Sequence, residues 1–93
     1  MLKVNEYFEG NVKSIALENK EGTATVGVIA AGEYEFGTST NEKMSIVSGV
    51  LDVMPEGSTV WKTFSTGDTF VVEKNSKFKV KAVEPVAYYC LYY

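Results

Sequence analysis

Residues 42–53 read EKMSIVSGVLDV, and their pattern decides the fold. Residues 43–47 alternate apolar and polar side chains, as a half-buried strand does. Ser48 and Gly49 supply a tight turn, and residues 50–54 return as a second strand. Glu42 stands at the head of this hairpin, with six residues between it and Gly49. Alternation turns Lys43 outward and puts Met44 and Ile46 on the inner face beside Glu42. The chain contains no histidine, so this carboxylate has no imidazole to share a site with.

The same grammar extends in both directions. Residues 12–17, 23–30 and 33–36 read as strands upstream, separated by a polar turn at 19–22 and by Ala31-Gly32. Residues 37–41 form a hydroxyl-rich loop or bulge. Downstream, Pro55-Glu56-Gly57 breaks the hairpin, and strands are expected at 60–64, 69–72, 78–82 and 86–93. Helical periodicity is nearly absent, and no internal repeat or linker interrupts the pattern. Roughly nine or ten short strands at even spacing point to an all-β sandwich or barrel. Phe78, Val80 and Ala82 alternate with Lys77, Lys79 and Lys81, which reads as a strand with a solvated lysine face that discourages edge pairing. The last strand, AYYCLYY, is apolar on both faces. Tyr88, Cys90 and Tyr92 point one way, and Tyr89, Leu91 and Tyr93 the other. A strand buried twice over lies either between the barrel and a neighbouring element or in a dimer interface, and the dimer interface is the expectation.

Composition narrows the functions. The chain has 93 residues, the length of one domain spanning 1–93. A net charge of −3 argues against nucleic-acid binding, which needs a basic face. All nine cations are lysine, so the bidentate guanidinium fork for phosphate is missing. Cys90 is the only cysteine, which fits a reducing cytoplasm. No stretch has signal-peptide character or the apolar length to span a membrane. A cytoplasmic protein without a membrane partner is the expectation.

The spacing around Glu42 resembles the first motif of the cupins, His-x-His, three or four residues, Glu, six residues, Gly. Counting back from Glu42 puts Phe36 and Thr38 at the two histidine positions. Counting on from Gly67 puts Glu73 at the proline of the second motif, Asn75 at its turn glycine and Phe78 at its last histidine. Gly32 is closer to the motif than the leading glycine of the pattern. Of the metal ligands only the glutamate is present. One carboxylate does not hold zinc or iron tightly without nitrogen or sulfur partners, so no metal and no cofactor is expected. The fold class implied is a small single-domain cupin, a jelly-roll-like β-barrel. Inside it, a wall of Phe36, Met44, Ile46 and Phe78 would desolvate Glu42 and raise its pKa, which suits proton donation. At the barrel rim, Glu42 would instead be a solvated strand start. The hydroxyls of Thr38, Ser39, Thr40 and Ser45 serve equally as turn chemistry.

A closer likeness covers nearly the whole chain. NEYFEGNVKSI, TVGVIAAGEYEF, EKMSIVSGVLDV and FVVEKNSKFKVKAVEPVAYYCLYY, in that order, resemble the small cupin-fold pyrimidine/purine nucleoside phosphorylases. The combination of NEYF, G-x-Y-x-F-x-T and E-x-M-x-I-V-S-G is the distinctive part. The resemblance implies a homodimer that splits purine and pyrimidine nucleosides with inorganic phosphate, giving free base and pentose 1-phosphate. It carries no catalytic residue with it, so the site is inferred from position. Glu42 is the candidate catalytic residue, either as acid toward the leaving base or as a carboxylate bonding ribose hydroxyls. Phe36 and Phe78 are placed to stack the base, Tyr34 and Tyr88 or Tyr92 to offer phenols. Thr38, Ser39 and Thr40, with backbone N–H groups, are placed to meet phosphate. The competing reading is a non-catalytic cupin that binds nucleosides without turning them over, and a third is a filled structural barrel. Base release that requires phosphate separates the first from the others.

Overall fold

The computed structural model describes all residues, Met1–Tyr93. Ten strands follow one another: β1 (Val4–Tyr7), β2 (Val12–Asn19), β3 (Gly22–Ile29), β4 (Gly32–Gly37), β5 (Glu42–Ser48), β6 (Val50–Pro55), β7 (Lys62–Ser65), β8 (Thr69–Val72), β9 (Lys77–Ala82) and β10 (Val86–Tyr92). A single 3-10 turn, Phe8–Gly10, joins β1 to β2. The strands form a six-stranded sheet in the order β1-β2-β3-β10-β5-β8 and a four-stranded sheet in the order β4-β9-β6-β7. The two sheets face each other without a shared ladder, so the jelly roll is a sandwich rather than a closed barrel.

The hairpin expected over residues 42–53 does not form, because β5 pairs with β10 and β8 and β6 with β7 and β9, although the chain does turn at Gly49. Gly49 adopts φ 107°, a left-handed conformation open to glycine, and a Cβ there would meet the Pro85 carbonyl at 3.2 Å. The turn does more than reverse the chain: β5 joins one sheet and β6 the other. The expected glycine of the turn before β9 is Asn75, which tolerates φ 58°.

Alternation along each strand builds the core between the sheets. Val12, Ile29, Leu51, Val80, Val86 and Cys90 are its fully buried side chains. Each such aliphatic chain contributes about 1.5–3 kcal/mol on leaving water. β10 lies between β3 and β5, with Tyr88 and Cys90 buried on its inner face and Tyr89 and Leu91 half-covered on the outer. Phe78, Val80 and Ala82 point inward from β9, as their alternation with lysine predicts.

Three elements differ from expectation. β1 lacks alternating apolar residues and pairs as an edge strand with β2, Val4 opposite Ile15. The strand expected from residue 60 begins at Lys62, because the Ser58 hydroxyl takes the Val60 N–H at 3.1 Å and holds a turn there. Phe8 and Glu9 adopt φ 53° and 59°, costly for residues with a side chain. The Phe8 ring is held against Tyr34 and Phe36 at 5.0 and 5.3 Å, contacts that offset the strain.

Candidate functional site

Glu42 begins β5 with its side chain on the inner face, half-buried between Tyr92 of β10 and Val72 of β8, its partners across the two ladders. Lys43 is exposed on the opposite face, and Met44 and Ile46 follow Glu42 inward. Burial raises the Glu42 carboxyl above its ordinary value, and a bond from Cys90 partly opposes that rise. The Cys90 thiol donates to Glu42 Oε1 at 3.5 Å. Burial, reinforced by the neighbouring Glu42 charge, pushes the Cys90 pKa upward, so the thiol stays protonated and able to donate. Tyr92 continues the chain: its phenol shares a 2.9 Å hydrogen bond with the Thr25 hydroxyl, and burial raises its pKa as well. Polar groups on neighbouring strands thus lead from Thr25 to Glu42 through otherwise apolar surroundings.

Tyr88 lies two residues before Cys90 on the same face. Its pKa is pushed up to about 12 by burial, opposed by a hydrogen bond with Ser14. Its ring crosses the backbone of Gly27, where a Cβ would stand 2.6 Å from the phenol oxygen. Gly27 is therefore required for space, which is a further meaning of glycine inside a strand.

The opposite wall comes from the four-stranded sheet. Phe36 and Phe78 are partners across β4 and β9, and their rings stack at 5.7 Å with 27° between planes. Tyr7 meets Phe36 edge-on at 6.4 Å. Between these walls is a cavity of about 170 Å³, bordered by Glu42, Tyr88, Cys90 and Tyr92 on one side and by Phe36 and Phe78 on the other. No buried side-chain nitrogen or oxygen lacks a hydrogen-bond partner.

Four residues expected at the site converge on this cavity: Glu42, Phe36, Phe78 and Tyr88. Four do not line it. Tyr34 turns its hydroxyl to the carbonyls of Ala30 and Ala31 at 3.0 and 3.1 Å, bracing the β3–β4 connection. The Thr38 hydroxyl donates to the Glu73 carbonyl at 2.7 Å and accepts from the Ser76 N–H at 3.0 Å, so it clamps the β8–β9 turn. Ser39 and Thr40 are exposed on the β4–β5 connection. The physical reason is that β4 ends at Gly37, the last residue before β5 to border the cavity, and the chain then leaves the wall. Sequence reasoning passed over Ser14, Gly27 and Tyr7. Alternation from buried Val12 carries Ser14 inward, and a glycine amid TVGVI signals a close approach; Tyr7, on a polar edge strand, left no such signal.

The positions at which cupins carry histidine thus hold Phe36, Thr38 and Phe78, and Phe36 and Phe78 do border the same cavity as Glu42. Nowhere do three His, Cys, Asp or Glu side chains gather as a metal site would require. The two-sheet jelly roll is the cupin fold. An RmlC-like cupin from Shewanella frigidimarina has the same fold, with a TM-score of 0.74 at 22% identity over 96% of this chain and 80% of its own.

Within the cupins the chain belongs to the pyrimidine/purine nucleoside phosphorylase family, whose model matches residues 2–92. It is 58% identical over 92 residues to a pyrimidine/purine nucleoside phosphorylase of Pseudomonas syringae pv. tomato, covering 99% of both chains. A solved structure from Vibrio parahaemolyticus, a protein of unknown function, superposes with a TM-score of 0.93 at 41% identity over 97% of this chain and 96% of its own.

Proposed function

We propose that this protein cleaves the glycosidic bond of purine and pyrimidine nucleosides with inorganic phosphate, releasing free base and pentose 1-phosphate. Full-length kinship with proteins named for that activity supports the reaction class. The observation that carries the mechanism is Glu42, a carboxyl whose pKa is raised by burial, facing stacked Phe36 and Phe78 across an apolar cavity. Phosphorolysis passes through a cation-like sugar, and the departing base needs a proton. A carboxyl whose pKa burial raises is better suited to give it than an ordinary solvated carboxylate. The Cys90 thiol bonds one carboxyl oxygen of Glu42, which itself borders the cavity. Phe36 and Phe78 present ring surface to the base. Stacking tolerates any base because every base has a π-face, which favours broad specificity. Tyr88 and Tyr92 supply phenols that remain protonated.

The donor set favours a metal-independent reaction: Glu42 and Cys90 are the cavity's only carboxylate and thiol, and the chain has no histidine. The protein works as a homodimer in this reading. The outer face of the six-stranded sheet presents Ile15, Val26, Val28, Val47 and Val71 in the open, beside half-covered Tyr89 and Leu91, and a second copy would cover them. A lone buried cysteine suits the cytoplasm.

The test is base release from uridine and inosine by the purified protein, with and without phosphate, in the presence and absence of a strong chelator. Phosphate-dependent release that survives the chelator is the expected result. Saturable binding without release would make the chain a nucleoside-binding cupin.

A further inference from the structure

The Glu42 cavity is small for its task. Small-molecule pockets span roughly 300–1,000 Å³, and this one measures about 170 Å³. A second cavity of about 380 Å³ opens beyond Phe78, whose ring borders both. The ladders show how closely they adjoin. Gly37 of the first cavity lies opposite Lys77 of the second, and Glu42 lies opposite Val72. Opposed residues in an antiparallel pair have Cα atoms about 4.5–5.5 Å apart. The second cavity therefore begins one strand away from Glu42.

Its chemistry is different. It is lined by Val53, Phe64, Phe70 and Val72 and also by Lys62 and by Lys77, which is exposed at the start of β9. Neither lysine is neutralised. The chain's single ion pair is Lys13–Glu6, at 3.7 Å. On β9, Lys79 and Lys81 lie opposite Glu35 and Glu33, whereas Lys77 lies opposite Gly37. Lys62 lies opposite buried Val53 and so shares the inward side of β7 with Phe64, which faces buried Leu51. Glu56 and Glu73 also border the cavity, and neither forms an ion pair with these lysines. The hydroxyls of Thr38 and Ser76 both bond the Glu73 carbonyl, at 2.7 and 2.6 Å, which fixes the turn leading into Lys77.

We propose that this second cavity is the phosphate subsite, in which Lys62 and Lys77 hold the attacking phosphate and the phosphate group of the pentose 1-phosphate product. This rests on the phosphorolysis reading above. The base occupies the Glu42 side, and the pentose spans the edge of Phe78. A phosphate oxygen attacks the anomeric carbon while the C–N bond breaks and its electron pair goes to the base nitrogen. That nitrogen takes the Glu42 proton, and the proton lost by hydrogen phosphate on forming the ester restores Glu42. With no arginine in the chain, two ammonium groups from different strands supply the positive charge that a guanidinium fork gives elsewhere.

The test is steady-state kinetics of Lys62→Gln and Lys77→Gln with phosphate varied at saturating nucleoside, and the reverse. Each substitution is expected to raise KM for phosphate by about tenfold or more and to leave KM for nucleoside within about twofold, as loss of a charged contact to one substrate does. Lys79→Gln, which does not border this cavity, should change neither. Independently, ³¹P line broadening of inorganic phosphate by the wild-type protein should disappear in the double variant and persist in Glu42→Gln. Phosphate-dependent turnover with unchanged phosphate KM in both lysine variants would overturn the subsite and leave phosphorolysis standing. Equal rises in both KM values would overturn it too. A wild-type protein that releases base without phosphate would remove the reaction itself.

Discussion

The two sheets share an apolar core but differ in what else they carry on each face. The four-stranded sheet is apolar inside, with Phe36, Leu51, Val53, Phe78 and Val80, and charged outside, where Glu35 faces Lys79 and Lys81 lies between Glu33 and Asp52. The six-stranded sheet turns hydroxyls, a thiol and a carboxyl inward from Ser14, Thr25, Glu42, Tyr88, Cys90 and Tyr92, and shows Ile15, Val26 and Val28 to the outside. The first arrangement is what a stable sandwich needs. The second costs stability on both faces, since buried polar groups must all be satisfied and exposed valines gain nothing from water. Such an expense is borne where there is chemistry inside and a partner outside. The six-stranded sheet therefore brings Glu42 and its polar neighbours to the cavity, and the four-stranded sheet brings the rings of Phe36 and Phe78.

The sharpest way to break this division is at Glu42. Glu42→Gln keeps the shape and removes the proton donor, and turnover should fall by about two to four orders of magnitude. An unchanged rate would take Glu42 out of the mechanism. The pH profile tells the acid from a sugar-binding carboxylate: with Glu42 as acid, wild-type turnover declines as pH rises through its raised pKa, whereas a required carboxylate declines as pH falls. In Glu42→Gln, stability should move the other way from activity. Because burial lifts the carboxyl above its ordinary 4.5, the native state holds its proton longer than the unfolded chain does. That contribution is complete below the unfolded value and is lost as pH rises through the folded one. Glu42→Gln should thus melt higher than wild type at neutral pH, with the gap closing toward pH 4. A variant that melts lower throughout would mean that the carboxylate stabilises the fold.

Val26 tests the other face. It lies between Ile15 and Tyr89 in the outer row of the six-stranded sheet and is 45% exposed in the single chain. Val26→Asp should weaken self-association by about one to two orders of magnitude, because a carboxylate would be buried without a partner. Analytical ultracentrifugation across a concentration series reads this directly. A wild-type chain that stays monomeric at every concentration would leave the apolar outer face without the proposed occupant.

Much of this division was legible in the sequence, for a physical reason. Strand period 2 fixes which residues share a face, so Met44, Ile46, Phe78, Val80 and Ala82 were assigned inward from alternation alone, and the two-faced character of β10 stood out in AYYCLYY. Motif spacing brought Phe36, Glu42 and Phe78 together because the β4–β9 ladder sets the two phenylalanines opposite each other and a short connection carries the chain from β4 to Glu42 at the start of β5. Loops obey no such rule. Thr38 occupied a ligand position by count, yet its hydroxyl was taken by the Glu73 carbonyl 35 residues away, a pairing that only the tertiary structure sets. Lys62 was invisible for the same reason: a lysine on a short edge strand reads as solvated until the register shows Val53 opposite it.

The smallest test concerns the charged face of the four-stranded sheet. Lys79 and Lys81 read alike in sequence, but Lys81 Nζ stands 4.4 Å from the centre of the Trp61 ring. Trp61 precedes β7, so this contact fastens the β6–β7 connection to β9. An exposed cation–π contact contributes about 0.5–1 kcal/mol, more than an exposed lysine with no ion pair, whose removal usually changes stability by less than about 0.5 kcal/mol. Lys81→Gln should therefore lower the unfolding free energy measurably, while Lys79→Gln should leave it nearly unchanged. Trp61 is the chain's single tryptophan, so fluorescence reports on this contact alone. Its emission should shift in Lys81→Gln and stay fixed in Lys79→Gln. Identical emission and stability in the two variants would mean that the four-stranded sheet carries a uniform solvated charge surface after all, with no fastening role for Lys81.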